Sequence, residues 1–311
     1  MKKLLLFMLS MCIFTNIVNA ETEVHYDLLT KNITKTQVQN GDYNRTQASI
    51  LKKELDSVMG CNLSTSGAYG TLTVKCVKAF QRAYGLTVTG YVNKATREKL
   101  NEIYLMDSMI VIDDHSAFRD KAGFSGSTIL GYLDRGYIIK VISRKKVGNR
   151  YWYRFYYNGR YVYMSERKLN GTFIEIEIVS QSMRFYKNRK LFVDTPVVTG
   201  RTEGNYYTRK GYFLAYDKSH NTSEDAHIQY AIAIDQETGQ IIHDLVGKRG
   251  AYANYNTYGG LIYQNLEVPV GNPATGSLGC VNTPLERIQY IYPSIKTTRS
   301  NSSTPTPIIV H

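Results

Sequence analysis

A cysteine, a glycine and a histidine in the C-terminal half have the side chains and spacing that acyl transfer requires. The segment 276–284, GSLGCVNTP, places Cys280 directly after Gly279. A glycine allows a tight turn beside the sulfur, and such a turn can aim backbone N–H groups at a developing oxyanion. A cysteine nucleophile also needs a base, and His243, which ends the strand-like run IIHD, is the best candidate among six histidines. The alternative is that Cys280 is a buried apolar residue, the commoner outcome for a free cysteine.

The cysteine count leaves Cys280 as the odd thiol. Residues 1–20 begin with two lysines, continue as an apolar stretch and end in Val-Asn-Ala, a pattern typical of a cleaved signal peptide. A membrane anchor is the alternative, although the stretch is shorter than the roughly 20 apolar residues that a span needs. Removing this leader leaves three of four cysteines. In an oxidising compartment Cys61 and Cys76 can pair while Cys280 stays single.

The charge balance favours polyanionic partners. The chain carries 38 Lys+Arg against 26 Asp+Glu, a net charge of +12. An exported protein rarely meets nucleic acid, so we expect the carboxylate-rich cell wall as partner and no nucleic acid. His220 and His227 are spaced too widely to form a metal-binding pair on one helix face, and we expect neither a metal nor an organic cofactor.

The chain is predicted to be multidomain, with a helical module first and mainly β structure after it. Three modules are expected to position the residues named above. Residues 21–44 are polar without sustained periodicity and are expected to be a linker. Apolar residues at helical spacing predict a three-helix bundle over 45–105. Short alternating runs broken by glycines predict a compact β module over 108–170. Further strands over 173–311 predict a β-sandwich or open barrel, with one short helix after the cysteine.

The helical segment resembles the peptidoglycan-binding type 1 domain. Residues 70–100, GTLTVKCVKAFQRAYGLTVTGYVNKATREKL, contain nearly the whole motif of that family. The resemblance implies that this segment holds peptidoglycan. Cys76 replaces the usual small core residue of its helix, and Cys61 follows the Gly60 that ends the previous helix. A disulfide between the two helices is therefore expected, with two separately buried thiols as the alternative.

The β module resembles a bacterial SH3-like domain, which implies a small barrel. The runs AFRD, LGYLDRGYIIKVI and YWYRFYYNGRYVYMSERKL follow one another in the order of that family. Its many tyrosines and Trp152 could stack on sugar rings. We favour the interpretation that they are strand-forming residues filling a half-buried sheet.

The C-terminal segment resembles the YkuD-type L,D-transpeptidase catalytic domain. The runs IIHD, TYGGLIY and GSLGCVN match a signature of a histidine followed by S/T-H-G-C-hydrophobic-N/R. The resemblance implies that Cys280 is the acyl-forming nucleophile and His243 its base. Asp244 would orient the imidazole through its backbone carbonyl, and the amides around Gly279 and Cys280 would line the oxyanion hole. The residues expected to contact the substrate are Gly260, Tyr263, Ser277 and Asn282.

Three departures from the family pattern accompany this resemblance. Leu278 stands where the family has a second histidine. The absence of that histidine could lower activity, alter substrate choice or mark a degenerate enzyme. Arg209 and Lys210 occupy a region where proline is usual. His243 and Cys280 are about twice as far apart as usual, since NLEVPVGNPAT and nearby residues form an insertion, either a lid or an inert extension.

The expected function is thiol acyl transfer on peptidoglycan. The thioester formed from a stem tetrapeptide would be resolved by an acceptor amine, which makes a cross-link, or by water, as in an L,D-carboxypeptidase. A non-catalytic peptidoglycan-binding pseudoenzyme is the alternative from another class. The protein is expected to be exported to the periplasm or cell wall, without a membrane span after cleavage. The acceptor and the oligomeric state stay open.

Overall fold

The computed structural model describes residues 25–65, 68–200, 206–223, 228–244, 252–255, 261–263, 277, 279–300 and 304–311. The predicted signal peptide, 1–20, lies outside these residues. Among the helices in the described ranges, none combines the length and the apolar character needed to traverse a bilayer.

The N-terminal module is helical. Its helices are α1 Lys35–Asn40, α2 Arg45–Met59, α3 Thr71–Ala83 and α4 Lys94–Tyr104. Asn44 caps α2 by accepting a hydrogen bond from the Gln47 N–H group, and Asn93 caps α4 at Thr96 in the same way. Gly60 ends α2 in the left-handed conformation, with φ of 61°. The disulfide Cys61–Cys76 joins the end of α2 to α3, with Cα atoms 6.2 Å apart.

The linker prediction for 21–44 is wrong over its described part. Leu29 and Ile33 are buried in the helical core, and α1 lies within the same stretch. His25 adds to the edge of the C-terminal sheet, where its N–H group donates to the Phe192 carbonyl at 2.9 Å. The apolar residues here are too few to show a period, so their burial against the later helices leaves no signal in the local sequence.

The β module is a seven-stranded sheet in the order β3-β2-β6-β5-β4-β1-β7. Its strands are β1 Ser108–Val111, β2 Ser116–Arg119, β3 Ile129–Leu133, β4 Ile138–Val147, β5 Arg150–Tyr157, β6 Arg160–Ser165 and β7 Leu169–Asn170, and a 3₁₀ turn spans Glu166–Lys168. Within 108–170, all of which is described, the outer strands β3 and β7 do not pair with each other. The expected closed barrel is therefore absent from this segment.

The C-terminal module contains two main sheets. The first has the order β10-β9-β8-β18-β11, and the second has the order β12-β13-β14-β17. The strands of the first are β8 Phe173–Glu177, β9 Ser182–Lys187, β10 Lys190–Pro196, β11 Gly211–Leu214 and β18 Pro307–Val310. Those of the second are β12 Lys218–Ser223, β13 Ile228–Ala233, β14 Ile241–His243 and β17 Val281–Asn282. A separate pair comprises β15 Tyr252–Tyr255 and β16 Leu261–Tyr263, and α5 Leu285–Ile291 and a 3₁₀ turn Tyr292–Ser294 follow β17.

One apolar core joins the two sheets to α5. Phe185 from the first sheet, Ile242 and Val281 from the second, and Ile288 from the helix are all buried in it. The predicted order of a helical N-terminal region followed by β-rich structure is confirmed.

The three modules meet in one contact region, the three-module junction. Its apolar part comprises Tyr104 from α4, Ile110 from β1, and Phe173, Tyr186, Leu191 and Ile309 from the C-terminal sheet. Charged side chains surround this cluster, among them Arg184 and Glu175, whose Nε and Oε2 atoms lie 2.8 Å apart.

Candidate active site

The strands β14 and β17 position His243 and Cys280. They are parallel neighbours, with Ile242 opposite Val281 and His243 opposite Asn282. Cys280 directly precedes β17 and so continues this register opposite Ile241. Residues in register, and residues two apart on one strand, point to the same face of a sheet. The Cys280 and His243 side chains therefore share one face of the sheet, although the two residues are 37 positions apart in the sequence (280 − 243).

His243 is buried, and its ring is fixed by the backbone. Nδ1 lies 2.9 Å from the carbonyl oxygen of Asp244. Burial lowers the pKa of His243, and the neighbouring Asp244 only partly opposes this effect. The imidazole is therefore neutral at neutral pH. Because a carbonyl can only accept, the single ring proton lies on Nδ1, and Nε2 is the basic nitrogen.

The Asp244 carboxylate is engaged with the neighbouring strand. It accepts hydrogen bonds from the backbone N–H groups of Gln229, at 3.1 Å, and Tyr230, at 2.6 Å. The side chain is fully buried. The Asp244 carboxylate thus fixes the end of β14 against β13, whereas the contact with the imidazole comes from the Asp244 backbone carbonyl.

Cys280 is half-buried, and burial raises the pKa of its thiol, while a backbone hydrogen bond from Ile241 lowers it. The net direction is upward. Together with the lowered pKa of His243, this favours a neutral thiol beside a neutral imidazole in the resting protein. A thiolate held by an imidazolium is thus not the favoured resting state.

The turn before the cysteine depends on Gly279. Its φ is +111°, and an added Cβ would lie 2.9 Å from Nε2 of Gln240. A side chain at this position would therefore meet both backbone strain and a steric clash. The Gly279 N–H group donates to Oγ of Ser277 at 3.1 Å, and Ser277 in turn donates to the Cys280 carbonyl. The Gly279 amide is thus engaged within the turn rather than directed at an oxyanion.

The predicted substrate-contact residues lie in different environments. Ser277 supports the turn, and Asn282 is buried, with its backbone N–H and C=O groups both paired with Val198. Both positions thus have contacts within the protein, and their contact with substrate stays a prediction. The backbone of Tyr263 lies in β16, opposite Tyr252. Gly260, Leu278 and the insertion 265–275 lie outside the described residues.

Two residues without any motif brace the cysteine turn. Thr208 donates its hydroxyl to the Gly279 carbonyl at 2.8 Å and accepts from the Gly200 N–H group at 2.8 Å. Gln240 donates to the Tyr207 carbonyl at 2.9 Å and accepts from the Arg209 N–H group at 2.9 Å. The only feature of the sequence that could have indicated this role of Gln240 is its position directly before β14.

Arg209, one of the departures from the family pattern, is paired with acidic residues. Its Nη1 lies 3.0 Å from Asp235 and 2.9 Å from Glu237. This pairing connects the segment after Thr208 to the loop before β14. The described residues contain no group of three or more His, Cys, Asp or Glu side chains arranged to hold a metal.

Comparison with known families agrees with this geometry. A model of the YkuD family, described as an L,D-transpeptidase catalytic domain, matches residues 171–310. A second model, described as a putative peptidoglycan binding domain, matches residues 44–100. Neither model covers 108–170, so the SH3-like resemblance of the β module stays a prediction.

Solved L,D-transpeptidases are similar to this chain at low identity. The catalytic domain from E. faecium is 25% identical, covering 45% of this chain and 96% of its own, with a TM-score of 0.31. An L,D-transpeptidase from Stackebrandtia nassauensis is 14% identical, covering 93% of this chain and 97% of its own, with a TM-score of 0.32. The likeness to the two families rests on the matches of residues 44–100 and 171–310 to their models. No protein with a curated description matches the chain at a significant level.

The two matched domains define the broad biochemical class. An L,D-transpeptidase catalytic domain is an acyltransferase-type enzyme domain, and the peptidoglycan-binding domain implies peptidoglycan as partner. Together they suggest a location in the cell wall or periplasm.

Proposed function

We propose that this protein cross-links peptidoglycan by L,D-transpeptidation, with Cys280 as nucleophile and His243 as base. The observation that carries the proposal is the parallel register of β14 and β17, in which both side chains share one sheet face. The hydrogen bond from Nδ1 to the Asp244 carbonyl supports the role of His243, because it leaves Nε2 as the basic nitrogen.

The reaction begins from the neutral pair. Nε2 of His243 accepts the thiol proton while the sulfur attacks the carbonyl carbon of the third residue of a stem tetrapeptide. The bond to the terminal D-alanine then breaks, and the imidazolium returns the proton to the leaving amine. An acceptor amine attacks the thioester and restores the thiol. Because the Gly279 N–H group is engaged with Ser277, the amide of Cys280 itself is the candidate donor to the oxyanion.

Acylation of Cys280 tests the proposal directly. The mature protein is incubated with a carbapenem, and its mass is followed over time. We expect one adduct on Cys280, none in Cys280→Ala, and acylation at least about 100-fold slower in His243→Ala, the loss typical of a general base. Cys61 and Cys76 serve as an internal control, because their disulfide leaves Cys280 as the free thiol of the mature chain.

A second measurement identifies the acceptor. Purified disaccharide-tetrapeptides are incubated with the protein, and the products are separated by mass. Cross-linked dimers support the transpeptidase, whereas tripeptides alone indicate that water is the acceptor, as in an L,D-carboxypeptidase. If the protein binds peptidoglycan but forms neither an adduct nor a product, the catalytic proposal is wrong and the pseudoenzyme stands.

A further inference from the structure

A groove separates the helical module from the β module, and none of the residues around Cys280 lines it. Its volume is about 620 Å³, within the range of small-ligand sites. Tyr84 and Lys99 belong to its helical wall, and Tyr156 and Tyr161 belong to its β wall. Lys140 lies at the three-module junction that forms its floor. The groove is thus a concave surface apart from the cysteine site, with walls from two modules and a floor to which the C-terminal module contributes Glu175 and Tyr186.

The β wall presents aromatic rings to the groove. Tyr156 and Tyr161 face each other across β5 and β6 and are 59% and 50% exposed. Their ring centroids lie 5.2 Å apart with planes at 66°, so they form a corner. Tyr137, 44% exposed, extends the aromatic wall. Trp152, by contrast, is buried and is excluded as a stacking surface.

The cross-strand arrangement holds these rings in place. Both tyrosines lie on well-paired antiparallel strands, and the Arg154 guanidinium lies 4.0 Å from the centre of the Tyr161 ring. A ring that is positioned before a ligand arrives loses little conformational freedom on binding. Exposed, pre-positioned aromatic rings in a groove are typical of a binding surface rather than of strand filling.

The charged groups of the groove are paired with protein groups. Lys99 and Glu102 are bonded to each other at 2.9 Å on the helical wall. At the floor, the Lys140 ammonium donates to the Tyr104 carbonyl at 3.3 Å and to Oγ of Ser108 at 3.0 Å. Glu175 is held by Arg184. A charged ligand would have to disrupt these pairs, whereas a neutral ligand with hydroxyl and amide groups would not.

A flat, neutral ligand with polar edges matches this combination. A sugar ring has an apolar face that can lie against an aromatic ring and a rim of hydroxyl and acetamido groups that can form hydrogen bonds. We propose that the groove binds the glycan backbone of peptidoglycan, a polymer of N-acetylated hexosamines, through Tyr156 and Tyr161. The choice of this polymer rests on the proposed function, whereas the groove and its chemistry do not.

Binding of peptide-free sugar tests the proposal. The mature protein is titrated calorimetrically with an N-acetylglucosamine tetramer and with peptidoglycan strands from which the stem peptides have been removed. We expect both to bind, and the double variant Tyr156→Ala/Tyr161→Ala to bind at least about tenfold more weakly, as for aromatic residues central to an interface. The variant Tyr156→Phe/Tyr161→Phe keeps the ring faces and should bind within about twofold of wild type.

Tyr132→Ala is the matched control, because Tyr132 is an equally exposed tyrosine, on β3 and outside the groove lining. It should bind like wild type. Undiminished binding by the double alanine variant overturns the proposal, as does equal loss in the phenylalanine variant or binding only to strands that retain stem peptides. Circular dichroism of each variant confirms that it is folded.

The same samples separate this proposal from the proposed function. Carbapenem acylation of Cys280 should proceed equally in wild type and in the double alanine variant. Sugar binding without acylation would contradict only the catalytic proposal. Acylation without sugar binding would contradict only the glycan groove.

Discussion

The cysteine site and the three-module junction are built from different kinds of contact. At the cysteine site the positioning contacts come from backbone groups and uncharged side chains, such as the Asp244 carbonyl on His243 and the Thr208 hydroxyl on Gly279. At the junction, charged side chains contact one another directly. Lys53 lies 2.6 Å from Asp194, for example, and this same carboxylate accepts a 2.5 Å hydrogen bond from the Tyr104 hydroxyl.

The difference shows how each region uses charge. Burial lowers the pKa of the imidazole despite the neighbouring Asp244 and raises that of the thiol, so both are neutral and a proton can pass between them in the proposed reaction. At the junction, burial alone would raise the pKa of Glu175, but Arg184 holds it well below its usual range. Its charge is therefore permanent. We infer that the junction fixes the arrangement of the modules, whereas the cysteine site performs the chemistry.

Removal of Arg184 should break the junction and leave the chemistry intact. Arg184 is buried and lies directly opposite Glu175 in the β8–β9 register, so Arg184→Ala leaves a buried carboxylate without its main partner. Breaking a buried pair in this way costs about 3–5 kcal/mol. We expect Tm to fall by on the order of 10 °C. Acylation of Cys280, measured at a temperature where the variant is folded, should stay within about twofold of wild type.

The exposed pair of Arg135 and Asp114 provides the control for this experiment. Its atoms lie 3.2 Å apart, but both side chains are more than half exposed. Surface pairs contribute at most about 1 kcal/mol, so Arg135→Ala should change Tm by only a few degrees. Equal losses of Tm in the two variants would show that the buried pair does not hold the junction.

Glu54 on α2, which lies close enough to Lys53 and Asp194 for their charges to affect its pKa, should make the stability of the protein depend on pH. Burial raises the pKa of Glu54 to about 8 from its ordinary value of 4.5. Between these values the folded protein keeps a proton that the unfolded chain releases, so this group's contribution makes stability fall as pH rises from about 4.5 to about 8. Glu54→Gln mimics the protonated side chain and retains an acceptor for the Leu29 N–H group. Between pH 5 and pH 8, the free energy of unfolding of the variant relative to that of wild type should rise by a few kcal/mol.

Denaturant unfolding at the two pH values measures this gain. Glu98→Gln on α4 is the matched control, because the Glu98 side chain is mostly exposed. The difference in free energy of unfolding between Glu98→Gln and wild type should be nearly the same at pH 5 and pH 8. A Glu54→Gln difference that is equally independent of pH would mean that the Glu54 carboxyl is not protonated in the folded protein.

The sequence predicted local features better than contacts between modules. The helices α2 to α4 were predicted from apolar residues at helical spacing, a signal that acts within a few residues. The pairing of Cys280 with His243 was proposed from side-chain chemistry, and the structure aligns their strands. The sequence carried no signal for the burial of the charged residues at the junction, Lys53, Glu175 and Arg184, because a charged residue on a helix or strand normally faces solvent.

The linker prediction failed for the same physical reason. Leu29 and Ile33 were assigned to a linker because their partners lie far along the chain. The contact of Ser277 with substrate stays a prediction, but the sequence did not indicate that the turn at Gly279, with its positive φ, brings the Ser277 hydroxyl onto backbone groups. Family motifs identify residue types, but they do not specify which hydrogen bonds a local turn will use.

Thr208 tests how far the chemistry depends on uncharged positioning contacts. Thr208→Val keeps the shape of the side chain but removes the hydroxyl that links the Gly279 carbonyl to the Gly200 N–H group. Each such bond contributes about 1 kcal/mol net, so the cysteine turn should loosen while the fold persists. We expect the rate constant for acylation of Cys280 to fall about tenfold, equivalent to about 1.4 kcal/mol. Thr208→Ser keeps the hydroxyl, so its rate constant for acylation should be close to that of wild type.

Thr306→Val separates positioning from general stability. Thr306 is also buried in the transpeptidase domain, where its hydroxyl accepts from the Lys296 N–H group at 2.9 Å, away from the cysteine turn. Its loss should lower Tm slightly and leave acylation unchanged. If both valine variants slow acylation equally, or if serine at position 208 fails to restore the rate, Thr208 does not position the nucleophile. The cysteine turn would then be held by Ser277, Gln240 and the β14–β17 register.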